Sequence, residues 1–250
     1  MRATRYVEPL REGGSLPALV EADDDGLYVV KFRGAGQGPK ALIAELVAGE
    51  LARRAGLPVP DLAFVELDPA LAQAEPDPEI QDLLRASGGL NMGLDFLPGS
   101  LAFDPAASPE VDPVLAADTV WLDAFVTNVD RTARNPNLLV WHGRIWLIDH
   151  GAALYRHHGS TDLPADAERP FPAIAEHVLL PYAGSIAEAD ARLAPAFDRG
   201  VIDSVTAMIP DSWLEDGDGP GPDERRAAYA EYLGRRLASR RFVEEAEAAR

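Results

Sequence analysis

The stretch NVDRTARNPNLLVWHGRIWLIDHG, residues 128–151, joins a polar loop to two short apolar runs. The loop carries Asp130 five residues before Asn135. The two runs are rich in β-branched and aromatic residues and flank a His-Gly pair, a pattern that predicts a β-hairpin. Asp149 follows the second run directly, so one carboxylate precedes the hairpin and another ends it.

The residues before this stretch predict a long apolar helix. Asp112 and Pro113 are typical of a helix start, and the apolar spacing continues to about Thr127. Further upstream, three prolines and a glycine within residues 98–109 indicate a loose connection. We therefore expect two unequal lobes, divided between residues 97 and 98.

The rest of the chain predicts strands in its first part and helices in its last part. This order favours an α+β fold over a βαβ series. Strands are predicted over residues 15–21, 27–33, 61–67 and 90–97, and helices over residues 39–55, 80–85, 185–197, 201–208 and 223–248.

Composition limits the classes of function. The 250 residues include no cysteine, which excludes disulfide frameworks, thiolate metal sites and cysteine nucleophiles. The formal net charge of −18 opposes binding to nucleic acid, so we expect no such partner. No apolar run reaches the roughly 18 residues of a membrane-spanning helix. We therefore expect a cytoplasmic protein without a membrane partner.

Three segments, in this order along the chain, resemble one family. Residues 28–31 (YVVK) resemble the V-A-I-K strand, and Asp130 with Asn135 matches the D-x-x-x-x-N catalytic loop. Residues 148–151 (IDHG) resemble the D-F-G metal motif with a histidine in place of the phenylalanine. The chain is thus similar to the protein-kinase-like superfamily, which includes phosphatidylinositol kinases, and most closely to the HipA-like kinases.

The resemblance covers residues 13–151 and implies a fold. That fold is protein-kinase-like and two-lobed, within the α+β class. A small β-rich N-lobe would occupy residues 1–97. A larger, mainly helical C-lobe would occupy residues 98–250.

The resemblance also implies catalytic roles. Mg²⁺ is a hard cation that prefers oxygen ligands, and the implied ligands are Asn135 and Asp149. Asp130 is the implied acceptor of the proton from the substrate hydroxyl.

A nucleotide-binding set is implied in the same way. Lys31 would hold the α- and β-phosphates of ATP, positioned by Glu45 or alternatively by Glu50. Arg131 or Arg134 would supply positive charge near the phosphates, because the lysine that protein kinases carry after the catalytic aspartate is absent. The other implied contacts are a glycine turn over the phosphates and a strand beside the adenine, namely Gly13, Gly14, Ser15, Met92 and Leu94.

We therefore expect an ATP- and Mg²⁺-dependent phosphotransferase that phosphorylates a Ser or Thr hydroxyl of a protein. A nucleotide-binding pseudokinase with a regulatory role and a small-molecule or lipid kinase remain the alternatives. The sequence leaves the oligomeric state and any toxin–antitoxin pairing open. The glycine-rich residues 34–38 lack dinucleotide-binding and Walker spacing, and His150, His157 and His158 lack the spacing of a metal site.

Overall fold

A computed structural model describes residues 1–10, 16–107, 110–215 and 219–250. The N-terminal part contains one antiparallel sheet of five strands. They are β1 (Ala3–Pro9), β2 (Ala18–Ala22), β3 (Leu27–Lys31), β4 (Leu62–Leu67) and β5 (Gly89–Asp95). Their order in the sheet is β1-β2-β3-β5-β4.

Strand β3 lies at the centre of this sheet and carries Lys31 at its end. It pairs with β2 on one side and with β5 on the other. In the β3–β5 ladder, Lys31 lies opposite Met92 and Val29 lies opposite Leu94. Directly opposite residues of an antiparallel pair share one face of the sheet. Lys31 and Met92 therefore project to the same side.

Two helices cover the two faces of the sheet. Helix α1 (Pro39–Arg54) starts with a proline, whose missing N–H is not needed in the first helical turn. Its apolar residues join Met92 and the C-terminal helices in the main core. Helix α2 (Pro78–Ala86) buries Ile80 and Leu84 in a smaller core on the other face.

The C-terminal part is mainly helical and packs around α3 (Pro113–Val126). The predicted start of α3 is confirmed, because Asp112 Oδ1 accepts a hydrogen bond from the Val114 N–H at 2.9 Å. None of the helices in the described ranges is both long enough and apolar enough to cross a membrane. The other elements are β6 (Leu101–Ala102), β7 (Leu138–Trp141), β8 (Arg144–Leu147), α4 (Ile186–Leu193), α5 (Arg199–Thr206), α6 (Asp211–Leu214), α7 (Pro222–Ser239) and α8 (Arg241–Ala249).

The structure confirms the predicted α+β order and differs from it in detail. Strand β1 was not predicted, because its sequence is mixed and charged rather than alternating. The helix predicted over residues 223–248 is wrong as a single helix. Arg240 adopts φ 55°, in the left-handed region, and separates α7 from α8. No glycine or proline marks this break in the sequence.

The two parts of the chain share contacts as well as a core. Helix α6 reaches back to the sheet, where Trp213 Nε1 donates a hydrogen bond to the Leu90 carbonyl oxygen at 3.0 Å. The Trp213 ring also lies 5.6 Å from the ring of Phe64, measured between centroids. On the same helix, the Ser212 carbonyl oxygen accepts a bond from Arg33 Nη2 at 3.2 Å. The division between residues 97 and 98 stays a prediction, and the packing continues across it.

Candidate active site

Lys31 bonds to two carboxylates that come from different parts of the chain. Its Nζ donates to Glu45 Oε2 at 2.5 Å and also contacts Asp149 Oδ1. Glu45 lies in α1, and Asp149 follows β8 by two residues. The lysine partner that the sequence left open between Glu45 and Glu50 is therefore Glu45 in this structure.

Burial and charge set the ionisation of this cluster. Desolvation opposes the Lys31 ammonium, but the charges of Glu45 and Asp149 outweigh it and raise the pKa of Lys31 to about 12. Burial likewise opposes the Glu45 carboxylate, but Lys31 and a hydrogen bond from His150 lower the pKa of Glu45 to about 2. Lys31 and Glu45 are therefore both charged at neutral pH.

Asp149 is the more accessible of the two carboxylates. Its side chain is 41% exposed, whereas the Glu45 side chain is fully buried. Asp149 adopts φ 53°, a left-handed conformation that aspartate tolerates better than most residues. An exposed carboxylate beside a buried lysine is available to a ligand without opening the core.

Asp130 and Asn135 contact each other in the loop before β7. Asn135 Nδ2 donates to Asp130 Oδ2 at 2.6 Å. Asn137 Nδ2 approaches the same oxygen at 3.4 Å, and the Asp130 N–H donates to Asn128 Oδ1 at 3.2 Å. The sequence predicted the first pair, whereas the two flanking asparagines were missed. The Asn137 amide thus contacts the Asp130 carboxylate, whereas the Asn128 side chain holds the Asp130 backbone.

The structure contradicts the expected phosphate role of Arg131. This side chain is buried, and its Nε donates to Asp123 Oδ2 at 2.5 Å. Its Nη1 contacts the Asn137 carbonyl oxygen and bonds to the Ile148 carbonyl oxygen at 3.1 Å. The guanidinium is thus turned into the core, where it connects the Asp130 loop to the residue before Asp149. Arg134, which is exposed, is the remaining candidate for a phosphate contact.

A buried polar network supports Arg131 from the other side. Asp123 accepts bonds from Arg131, from Asn128 Nδ2 at 3.1 Å and from His177 Nε2 at 2.9 Å. Because His177 Nδ1 accepts the Leu179 N–H at 3.1 Å, its proton lies on Nε2. Burial opposes the Asp123 carboxylate, but the Arg131 charge holds the pKa of Asp123 well below its usual range. No local sequence pattern connects Asp123 with a histidine so far along the chain.

His150 occupies the position that phenylalanine takes in the D-F-G motif. Its side chain is fully buried, and its Nδ1 lies 3.4 Å from Glu45 Oε1. The other Glu45 oxygen bonds to Lys31, so this one carboxylate bridges an imidazole and an ammonium. In the sequence, His150 stands out only as part of the motif and as one of three histidines without metal-site spacing, and no pattern predicts its contact with Glu45.

The remaining implied nucleotide contacts fall into two groups. Met92 and Leu94 are both buried in β5 next to the Lys31 strand, which puts β5 beside the candidate site. Gly13, Gly14 and Ser15 lie outside the described residues. A cavity of about 460 Å³ lies elsewhere, near the start of α1, and neither Lys31 nor Asp149 lines it.

The donor set fits a magnesium–nucleotide complex rather than an all-protein metal site. Within the described ranges, no three histidine, cysteine or acidic side chains group around a possible metal position. Mg²⁺ usually takes only one or two protein ligands and completes its coordination with water and substrate phosphates. Asn135 and the accessible Asp149 carry oxygens of the kind that would hold such an ion, and the hydrogen bonds of Arg131 connect their segments.

Comparisons with known proteins point to the same class of fold. Residues 4–242 match the family model described as HipA-like kinase. The structure resembles that of the Helicobacter pylori proinflammatory kinase CtkA with a TM-score of 0.58 and 13% identity, covering 100% of this chain and 97% of the other. It also resembles Golgi casein kinase with Mn/ADP bound, with a TM-score of 0.55 and 14% identity, covering 98% of this chain and 73% of the other. The search of curated proteins found no match.

At these identities the structural likeness establishes the fold alone. Both solved structures are kinases, and both align over nearly the whole of this chain. The small sheet and the helical part together therefore form a protein-kinase-like fold, as the sequence motifs implied.

Proposed function

The chain belongs to the HipA-like kinase family, and from this membership we propose that it transfers the γ-phosphoryl group of ATP to a Ser or Thr hydroxyl of a protein in a Mg²⁺-dependent reaction. Family and fold make it a kinase-type phosphotransferase. The nucleotide, the metal and the acceptor are the parts that we add.

One observation carries the proposal, namely the contact of Lys31 with both Glu45 and Asp149. It brings a cation from the sheet next to a carboxylate from the end of β8. Phosphoryl transfer requires mainly positioning and charge stabilisation, because the protein forms no covalent bond to the phosphoryl group. An ion cluster that joins the two parts of the chain suits that requirement.

The charge of the cluster favours a divalent cation. Lys31 contributes one positive charge and contacts the two carboxyl groups of Glu45 and Asp149, and Asp130 adds a third carboxyl group in the loop that Arg131 connects to Ile148. When bound, the metal would neutralise phosphate oxygens and orient the nucleotide. We assign its binding to Asp149 and Asn135, whose oxygens are accessible.

The other side chains take complementary roles. Lys31 holds the α- and β-phosphates, and Glu45 orients Lys31. Asp130 binds the acceptor hydroxyl and takes its proton, with the Asp130 carboxylate held by the Asn135 amide. Arg134, exposed in the same loop, supplies positive charge towards the phosphates.

A protein acceptor is the substrate class that the comparisons favour. The name of Golgi casein kinase states a protein substrate for that enzyme. The net charge of −18 also opposes approach to an anionic lipid surface, which makes a lipid headgroup a poorer candidate.

The test measures phosphoryl transfer with γ-labelled ATP and Mg²⁺, using autophosphorylation and a mixed protein substrate as acceptors. We expect transfer by the wild type and a loss of about 100-fold or more in D130N and D149N. D162N is the matched control, because Asp162 follows the same motif yet its Oδ1 only accepts the Ala165 N–H at 3.2 Å. Nucleotide binding without transfer would replace the proposal with a pseudokinase. Transfer to small molecules or lipids alone would overturn the protein acceptor.

A further inference from the structure

The histidine after Asp149 closes a ring of contacts around Lys31. His150 Nδ1 lies 3.4 Å from Glu45 Oε1, and Glu45 Oε2 bonds to Lys31 at 2.5 Å. Lys31 also contacts Asp149, which is joined to His150 through the peptide bond. The ring thus connects the central strand, helix α1 and the segment after β8.

Hydrogen bonding defines what His150 contributes to this ring. Lys31 keeps Glu45 ionised, so the carboxylate accepts and His150 Nδ1 donates. A buried carboxylate needs donors on its oxygens, because water does not reach them. The imidazole supplies one for Oε1, and thereby limits the rotation of the carboxylate that holds Lys31.

A phenylalanine would fill similar space without this donor. The imidazole therefore differs from the D-F-G phenylalanine in chemistry more than in volume. A histidine that only filled the core would have no need to face the one buried carboxylate that binds Lys31.

We propose that His150 is a positioning residue for phosphoryl transfer, because it orients Glu45 and so fixes Lys31 towards the nucleotide phosphates. This inference rests on the proposed function, since it assumes that Lys31 binds the nucleotide. It adds a role for the residue in the phenylalanine place of the motif. His150 itself touches neither substrate nor metal in this role.

The experiment compares three substitutions of His150 that differ in whether, and where, the new side chain places a hydrogen-bond donor for Glu45. H150N retains an amide N–H near the Nδ1 position, H150Q moves it outward, and H150F removes it. We expect kcat/KM for ATP to fall about tenfold in H150F and H150Q, mainly through KM, and to recover most of the wild-type value in H150N. A purely structural role would lower the active fraction and hence kcat, with KM unchanged.

ADP affinity, measured by titration calorimetry, separates this inference from the proposed function. If the wild type binds ADP but transfers no phosphate, the phosphotransferase proposal fails, whereas weaker ADP binding in H150Q and restored binding in H150N still support the part of the inference in which His150 positions Lys31 towards the nucleotide. Equal ADP affinity in wild type, H150N and H150Q overturns it, and so does a wild type that does not bind ADP. Should H150F fail to fold, the comparison of H150N with H150Q decides.

A matched control is available in the same segment. His157 is also buried, and its Nδ1 bonds to the Tyr229 hydroxyl at 3.0 Å, away from Lys31. H157F should leave the KM for ATP and the ADP affinity unchanged. A tenfold change in H157F would mean that any buried histidine here affects the nucleotide, and would overturn the specific role of His150.

Discussion

Replacing Lys31 with methionine removes the ammonium group that is bonded to the buried Glu45 carboxylate. The pKa of Glu45 lies at about 2 instead of its ordinary 4.5. This difference corresponds to about 3 kcal/mol in favour of the charged form in the folded state. Removing one partner of a buried ion pair typically costs about 3–5 kcal/mol. We therefore expect K31M to lower the free energy of unfolding at pH 7 by about 3–5 kcal/mol.

The contribution of Glu45 to the free energy of unfolding should change with pH in the opposite direction in K31M. In the wild type, the depressed pKa of Glu45 stabilises the fold above about pH 4.5, and the contribution is lost as pH falls towards 2. In K31M, burial without the ammonium raises the pKa of Glu45 above its ordinary value. The protonated form then favours folding, so the stability of K31M should decrease as pH rises through that pKa.

Urea denaturation between pH 4 and pH 8 measures both effects. The double variant K31M/E45Q should recover at least half of the loss, because no buried charge remains without a partner. E50Q is the matched control on the same helix and should change stability by no more than about 0.5 kcal/mol. If K31M cost less than about 1 kcal/mol and its effect simply added to that of E45Q, the buried pair would be refuted.

The arginines of the loop and the proposed metal ligand Asp149 give two further tests. R131M should lower the free energy of unfolding by about 3–5 kcal/mol, because Asp123 loses its buried partner. R134M should change the free energy of unfolding by no more than about 0.5 kcal/mol and should instead lower kcat/KM for ATP. Urea denaturation and steady-state kinetics measure these effects, and an R131M protein as stable as the wild type would contradict the network. The second test measures the thermal midpoint of unfolding with Mg²⁺ and ADP, with the Mg²⁺–ADP complex at about 100 times its Kd for the wild type. We expect this midpoint to lie about 5–10 °C above that of the apo protein in the wild type, and the increase to be clearly smaller in D149N. Equal shifts in the two proteins would exclude Asp149 as a metal ligand.

Much of the fold follows from local sequence rules. The start of α3 was predictable because an aspartate before a proline both caps and begins a helix. The hairpin of β7 and β8 was predictable because its two runs are rich in β-branched and aromatic residues and flank a His-Gly pair. These rules act over a few residues, so they do not depend on the rest of the fold. These rules did not predict the break between α7 and α8, because the residue in the left-handed conformation is Arg240 rather than a glycine.

The candidate site was predictable in its motifs and not in its buried contacts. Residues in an irregular loop have no period, so the sequence does not say whether Arg131 faces the core or the solvent. The structure turns it towards Asp123, which also binds His177, 54 residues further along the chain. The contact of His150 with Glu45 spans 105 residues. Such pairs are set by the packing of whole elements, which short-range patterns do not contain.

The contacts of the Trp213 indole limit how this protein can be cut into fragments. It lies against Phe64 and bonds to the backbone of Leu90, although both belong to the sheet. A fragment of residues 1–97 would leave these apolar surfaces in water, together with the face of α1 that joins the main core. We expect such a fragment to be poorly soluble on its own. A chimera that takes the sheet from a relative should fold only when helix α6, which carries Trp213, comes from the same relative.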